Sequence, residues 1–154
     1  MTRQLRVGLV SFAHVHAPGL ASTLGALEQV EFTGIYDDDE QRGRAASSAH
    51  GTTWHPTLET LLGASDAVVI ASTNVDHRRY TEASAKARVH VLCEKPLATT
   101  AADANAMIDA CRAAGVQLGT AFPVRGSPAV IGGPRHADGV LVIIVWANAN
   151  PQPR

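Results

Sequence analysis

The chain has 154 residues, enough for one domain with a buried core. Apolar residues make up 45% of it, charged residues 18%, and the formal net charge is −1, so a soluble globular protein is expected and the composition argues against nucleic acid or an anionic membrane as partner. No apolar run approaches the roughly 20 residues of a membrane span, and the N-terminus lacks the apolar stretch and cleavage site of a signal peptide. The two cysteines, Cys93 and Cys111, have neither disulfide nor zinc-ligand spacing. They are expected to be reduced core thiols in a cytoplasmic protein.

In chain order, short apolar runs alternate with longer amphipathic segments. "LRVGLVS" is predicted as the first strand and "PGLASTLGALEQ" as the helix after it. "VEFTGIY" and "DEQRGRAASSAH" repeat the pattern, with Asp38 or Asp39 as the helix cap. "TLETLLG" after Pro56 is a short helix capped by Thr57. "DAVVIAS" is a strand, and "DHRRYTEASAKA" a helix capped by Asn74 or Asp76. "VHVLC" is the next strand, and "TTAADANAMIDACRAAG" a helix with Thr100 and Asp103 as a capping box and Gly115 as its stop. "GVQLGTAF" closes the series. Near-continuous apolar strands suit a sheet covered on both faces. The βαβ alternation predicts an α/β fold, a Rossmann-like doubly wound parallel sheet. After Phe122, the Pro/Gly-rich "PVRGSPAVIGGPRHAD" is expected to be loop or broken helix, and "GVLVIIVWANAN" an apolar strand in need of a partner.

The first strand leads into Ser11, Phe12, Ala13, His14, Val15 and His16. Two histidines at i and i+2 on a strand point the same way and could share a metal. Metal-dependent amidohydrolases use such a pair, but inside a barrel of roughly 250 residues. The remaining histidines here do not follow that order, so an HxH hydrolase is a remote alternative and no metal ligand is assigned. As a phosphate loop, GxGxxG would fall on Ser11, Ala13 and His16, with every glycine absent. Ser and Ala are small, the next helix offers its positive end, and His14 or His16 could donate to a phosphate oxygen. Asp37 ends the second strand about 20 residues on, where a carboxylate accepts from the adenosine ribose. An acidic residue there repels a 2′-phosphate, and neither Asp38 nor Asp39 is basic, so NAD is favoured over NADP. Glu94 and Lys95 follow a buried strand, and Lys86 and Lys95 are the only lysines. A lysine at the carboxyl edge can serve a substrate hydroxyl or carbonyl; a surface ion pair with Glu94 is the plain alternative. Pro96 allows a cis bond after Lys95.

"VHVLCEKPLATT" resembles the EKP signature of the glucose–fructose oxidoreductase and inositol dehydrogenase family (Gfo/Idh/MocA). The similarity in order and spacing covers Arg6 to about Pro128. The resemblance implies a dinucleotide-binding Rossmann domain over residues 1–122. Residues 123–154 would be a junction and candidate first strand of a substrate domain that is otherwise missing or truncated. It implies an NAD(P)-dependent oxidoreductase moving hydride between nicotinamide and a secondary alcohol or ketone of a sugar, inositol or related polyol. Ser11 to His16 match the pyrophosphate loop and Asp37 the ribose carboxylate. Ser72, Thr73, Asn74 and His77 match the "TPNxxH" segment near the nicotinamide. Glu94 matches a cofactor-ribose contact, Lys95 the lysine at the reacting hydroxyl, and Arg125 an arginine at the domain junction.

Two departures qualify the match. The glycine fingerprint is replaced, and "SFAHVHA" is read as a variant cofactor loop. The family's DxxxH acid/base motif has no counterpart, and His136 does not match it. The expected protein is therefore an incomplete, frameshifted or fragmentary form that binds NAD without appreciable turnover. The alternative is a non-catalytic dinucleotide-binding module or partner subunit, forming a homo-oligomer through its C-terminal strand.

Overall fold

Leu9 and Val10 are wholly buried and Val7 nearly so, which puts the first strand at the centre of a sheet covered on both faces. The computed structural model describes residues 3–121 and the strand 144–146. The strands are β1 (Leu5–Val10), β2 (Val30–Tyr36), β3 (Trp54–His55), β4 (Ala67–Ile70), β5 (His90–Glu94), β6 (Leu118–Ala121) and β7 (Ile144–Trp146). The helices are α1 (Ala17–Ala26), α2 (Glu40–Ala49), α3 (Leu58–Ala64), α4 (His77–Lys86) and α5 (Ala101–Ala114), with a 3₁₀ turn at Asn74–Asp76.

The sheet order is β3-β2-β1-β4-β5-β6-β7. Neighbours from β3 to β6 pair in parallel, and β7 pairs antiparallel to β6. The chain crosses from β3 over to β4 beside β1, so the order reverses between β1 and β4. Crevices at such reversals hold ligands at the carboxyl ends of the strands.

Strand period decides which residues meet which helices. Val7, Leu9, Ile35 and Val69 pack with Ala17, Ala21, Leu24 and Ala46 on the α1/α2 face. Val10, Val68, Ile70, Val91, Cys93 and Leu118 pack with Leu61, Tyr80, Met107 and Cys111 on the other. Both cysteines are free and buried, and burial pushes the Cys111 thiol up to about 11. No described helix is long and apolar enough to cross a membrane.

Most predicted elements are present within a few residues of their expected ends. Asp39, Thr57 and Thr100 cap α2, α3 and α5, each accepting a backbone N–H from the first turn. Gly115 ends α5 in the left-handed region, φ 69°. Asp76 stands at the start of α4 without capping it, because its carboxylate accepts from the Thr73 hydroxyl and Arg79 Nε. Asp103 donates its N–H to Thr100 Oγ1, and its carboxylate accepts a hydrogen bond from the same hydroxyl, so the reciprocal arm of the expected capping box is not made to the backbone. The two-residue β3 was not expected; it is too short to show a period. The strand expected near the C-terminus is present as β7, inside this chain's own sheet, so one of its edges is already taken. Arg125 and His136 lie outside the described residues.

Gly34 and Gly8 are among the glycines required by conformation or space. Gly34 has φ +139° beside a bulge at Thr33, where the β1–β2 register slips by one residue. A Cβ on Gly8 would lie 2.7 Å from Leu61 Cδ1 and 2.8 Å from Ser65 Oγ, so β1 lets α3 close down only because this side chain is missing. Gly8→Ala should therefore lower the unfolding free energy by about 1–3 kcal/mol in urea titration. Gly25→Ala, in open space on α1, should raise it by about 0.5–1 kcal/mol. Equal effects of the two substitutions would refute this account of Gly8.

Candidate functional site

The first loop turns at Ser11, which adopts φ 69° where a fingerprint would place its first glycine. Its hydroxyl accepts the Ala13 N–H at 3.2 Å, giving this serine a local reason for the turn. Ala13 is exposed, in keeping with close approach of a ligand to the backbone. The third glycine position is His16, which stands at the N-terminal boundary of α1, one residue before the helix begins, with its ring turned to Glu94 at the end of β5. Ala17 and Ala21, 0% and 1% exposed, supply the tight helix–sheet packing instead.

Asp37 sits beneath this loop, 3% exposed. Its Oδ2 accepts from Phe12 N–H at 2.6 Å and Arg42 Nε at 2.9 Å. Its Oδ1 accepts from Asp39 N–H at 2.8 Å and the Arg42 terminal nitrogen at 2.6 Å. Together these fill about the four acceptor directions of a carboxylate. Burial alone would raise this carboxyl, but Arg42 and the Asp39 and Phe12 amides outweigh it and hold it below its ordinary value. Arg42 is not legible in the sequence as this partner, because it stands five residues beyond Asp37 rather than beside it. It lies in the first turn of α2 and reaches back to the strand end. It also pairs with Asp38 at 3.2 Å, and Arg79 reaches the other Asp38 oxygen at 2.9 Å.

The remaining loop amides are largely committed within the protein. Ser11 N–H donates to Tyr36 O, His14 N–H to Ala71 O, and Ala17 N–H to His14 O. His16 N–H donates to His14 Nδ1 at 3.1 Å. The His14–Ala71 bond ties this loop to the segment after β4. There Ser72 is buried and donates to Thr73 O at 3.0 Å, while Thr73 and Asn74 are exposed. Val15 and Val75, 82% and 74% exposed, crest the two loops and leave apolar surface on either side of the crevice. A cleft of about 340 Å³, lined by Tyr36, Pro56, Thr57, Leu58, Glu59, Arg79 and Tyr80, opens on the side of Arg79.

His77 is fully buried, behind the crevice rather than in it. Its Nδ1 lies 2.9 Å from Pro96 O and 3.3 Å from Leu97 O, while Nε2 has no partner. Its ring is thus bonded to the turn after Lys95, whose bond to Pro96 is cis.

Glu94 ends β5 with its side chain 3% exposed. Its Oε2 accepts the Lys95 N–H at 3.0 Å, and its Oε1 lies 3.0 Å from His16 Nδ1. The surface pair of Glu94 with the Lys95 ammonium is not what forms: the carboxylate turns inward to His16, and Lys95 is exposed at the edge. The His14 and His16 rings meet edge to face, 4.7 Å between centroids. Partial burial pushes the His14 imidazole below its ordinary value, against the upward pull of Glu94. The union of the HxH pair with Glu94 was missed from sequence. Its only sign there was that both segments follow strand ends.

Arg42→Ala should cost about 1–3 kcal/mol of stability at neutral pH, since it strips two donors from a buried carboxylate. Asp37 has a lowered pKa, so its contribution is complete above the ordinary aspartate range and is lost as pH falls below that range, through the folded value. The wild-type advantage over Arg42→Ala in urea unfolding should therefore shrink on acidification below about pH 4. A pH-independent difference would point away from the ion pair.

Among known proteins, residues 5–122 match the Gfo/Idh/MocA group described as an oxidoreductase family with an NAD-binding Rossmann fold. The chain is 41% identical over 102 residues to 1,5-anhydro-D-fructose reductase of Ensifer adhaerens, covering 64% of this chain and 31% of that protein. It is 36% identical over 115 residues to D-xylose 1-dehydrogenase (NADP(+)) 2 of Haloferax volcanii, covering 71% of this chain and 35% of that one. UDP-N-acetylglucosamine 3-dehydrogenase from Acidithiobacillus ferrooxidans superposes with TM-score 0.78 at 24% identity, over 85% of this chain and 42% of that chain, a likeness of fold. The chain spans about a third of the length of these curated relatives.

Proposed function

The chain belongs to the Gfo/Idh/MocA oxidoreductase family through its NAD-binding Rossmann fold, and from that premise we propose that it binds a nicotinamide dinucleotide, NAD in preference to NADP, across the carboxyl edge of the sheet. In this reading residues 1–122 are the cofactor half of an enzyme whose substrate is a secondary alcohol or ketone of a sugar, inositol or related polyol. The observation that carries it is the convergence of the Ser11–His16 loop, Asp37 and Glu94 around the point where strand order reverses.

The fit is carried by residues already in place. Ser11 supplies the turn that a glycine would make. Ala13 leaves room, and the ring of His14, whose Nδ1 accepts the His16 N–H, has its Nε2 N–H for a phosphate oxygen. Asp37 can take a ribose hydroxyl only if it gives up one Arg42 contact, so ribose binding exchanges one partner of this carboxylate for another. Three successive carboxylates, Asp37, Asp38 and Asp39, oppose a 2′-phosphate. Arg42 could receive it but is shared among all three, and Arg79 is already paired with Asp38 and Asp76.

The bound dinucleotide would supply hydride chemistry. Lys95 would direct its ammonium at the reacting hydroxyl and hold the proton at Nζ. Glu94 fixes the Lys95 backbone through its N–H, and His77 fixes the next turn through Pro96 O. Arg125 is assigned to the junction with the substrate-holding part, on the resemblance alone. The cytoplasm fits the two reduced buried thiols.

The test is calorimetric titration of the chain with NADH and with NADPH, which reads binding without a known substrate. NADH should bind in the micromolar range and at least about tenfold more tightly than NADPH, a difference of about 1.4 kcal/mol. Asp37→Ala should weaken NADH, while Arg42→Ala should weaken NADPH more than NADH. Lys95→Ala should leave NADH affinity within about threefold of wild type, because its role is at the substrate. Failure of both nucleotides to bind a chain shown to be folded by circular dichroism would overturn the proposal.

A further inference from the structure

We propose that His14, His16 and Glu94 form a binding site for one divalent transition-metal ion of the zinc type, which presents an open coordination position to a phosphate oxygen of the dinucleotide. The phosphate part rests on the reading above; the metal site stands without it.

Three observations lead here. The first is the donor set. One ligand atom from each of His14, His16 and Glu94 lies within 4.8 Å of the others. Two imidazoles and one carboxylate are a recurrent set for zinc with a fourth position open. Adjacent ligand atoms around tetrahedral zinc sit about 3.3 Å apart for bonds of about 2.0–2.1 Å. His14 and His16 lie on an exposed loop and can turn to close the remaining gap.

The second is the charge balance. Glu94 is buried, and among the described residues no lysine or arginine pairs with it. Its partners are His16, charged only when protonated, and the Lys95 amide. A buried carboxylate calls for a compensating charge. A pyrophosphate group beside it would add negative charge, whereas a divalent cation would reverse the sign of the site.

The third is the supply of donors. A glycine-rich loop holds phosphate with free backbone N–H groups. Here the amides of Phe12, Ala13, His14 and His16 are bonded inside the protein, and Pro18 in the first turn of α1 has none. A metal ion takes over the task those amides cannot perform.

Binding has a defined cost. The neutral His14 ring has one lone pair, at Nδ1, and it accepts the His16 N–H. Coordination through Nδ1 displaces that bond. Coordination through Nε2 moves the ring proton to Nδ1 and breaks it equally. In either case the His16 amide is released at the loop crest, where it becomes a further donor for phosphate.

The test uses the full chain stripped with EDTA and dialysed. Zinc chloride titrated by calorimetry should bind one ion per chain. Cobalt(II) should give the visible absorption of a four-coordinate site. His14→Ala, His16→Ala and the isosteric Glu94→Gln should each weaken uptake at least about tenfold. His90→Ala, at the far end of β5, should leave it unchanged. NADH should bind at least about tenfold more tightly to the zinc-loaded chain than in EDTA. Absence of stoichiometric uptake, or uptake insensitive to His14→Ala and His16→Ala, overturns the metal site even if NADH binds in EDTA. Uptake with unchanged NADH affinity overturns the phosphate role. Uptake with no NADH binding in either state overturns the dinucleotide reading and leaves the metal site standing.

Discussion

The Asp37 carboxylate ties three parts of the chain at the end of β2. It accepts from the amide of Phe12 in the first loop, from the amide of Asp39 at the entry to α2, and from the guanidinium of Arg42 within α2. A buried carboxylate is costly unless its acceptor directions are filled. Filling them fixes where the loop can run. Together with the Ala13–Ser11 and His14–Ala71 bonds, that group sets the Ser11 turn, the path to His14 and the first turn of α2. In the usual fingerprint, glycines let the loop pass close to a ligand. Here a side chain beneath the loop holds it in shape from below.

The opposite wall of the crevice depends on a second buried carboxylate with a different balance. Asp37 has a permanent cation in contact, whereas Glu94 has an imidazole and an amide. The two sites therefore respond differently to what approaches. The Asp37 side is closed and exchanges partners only by displacing Arg42. The Glu94 side lacks a fixed positive charge and is receptive to a cation or a protonated ring. Between them the His14–Ala71 bond keeps the loops after β1 and β4 in register. Behind them His77 and the Pro96 carbonyl keep Lys95 at the edge. The crevice is thus built from backbone positions held by side chains that mostly do not face into it.

Much of this organisation was legible in the residues. The alternation of apolar runs with capped amphipathic segments points to the parallel sheet because strands covered on both faces are mostly apolar, and the polar exceptions inside them, such as Thr120 in β6, are small. Thr57, Thr100 and Gly115 mark helix ends because capping is a local hydrogen-bond requirement that short stretches satisfy by themselves. The EKP segment and its spacing from the first strand bring Glu94 and Lys95 to the carboxyl edge of the same sheet. What local reasoning handled poorly had no period or cap to read: the two-residue β3, the antiparallel pairing of β7, and the side chain of Asp76, drawn away from α4 by Thr73 and Arg79.

By itself, then, the sequence determined the fold class, the helix limits and the family, because each is written in periodicity, local capping and contiguous motifs. Only the tertiary structure decided the state of the functional groups. It brought Arg42 onto Asp37, His16 onto Glu94 and His77 beneath Pro96. Residues 78 apart in the chain, such as His16 and Glu94, meet only because β1 and β5 flank β4 and end at the same edge. Whether a carboxylate is paired with a guanidinium, an imidazole or solvent depends on such meetings. No window of sequence contains them.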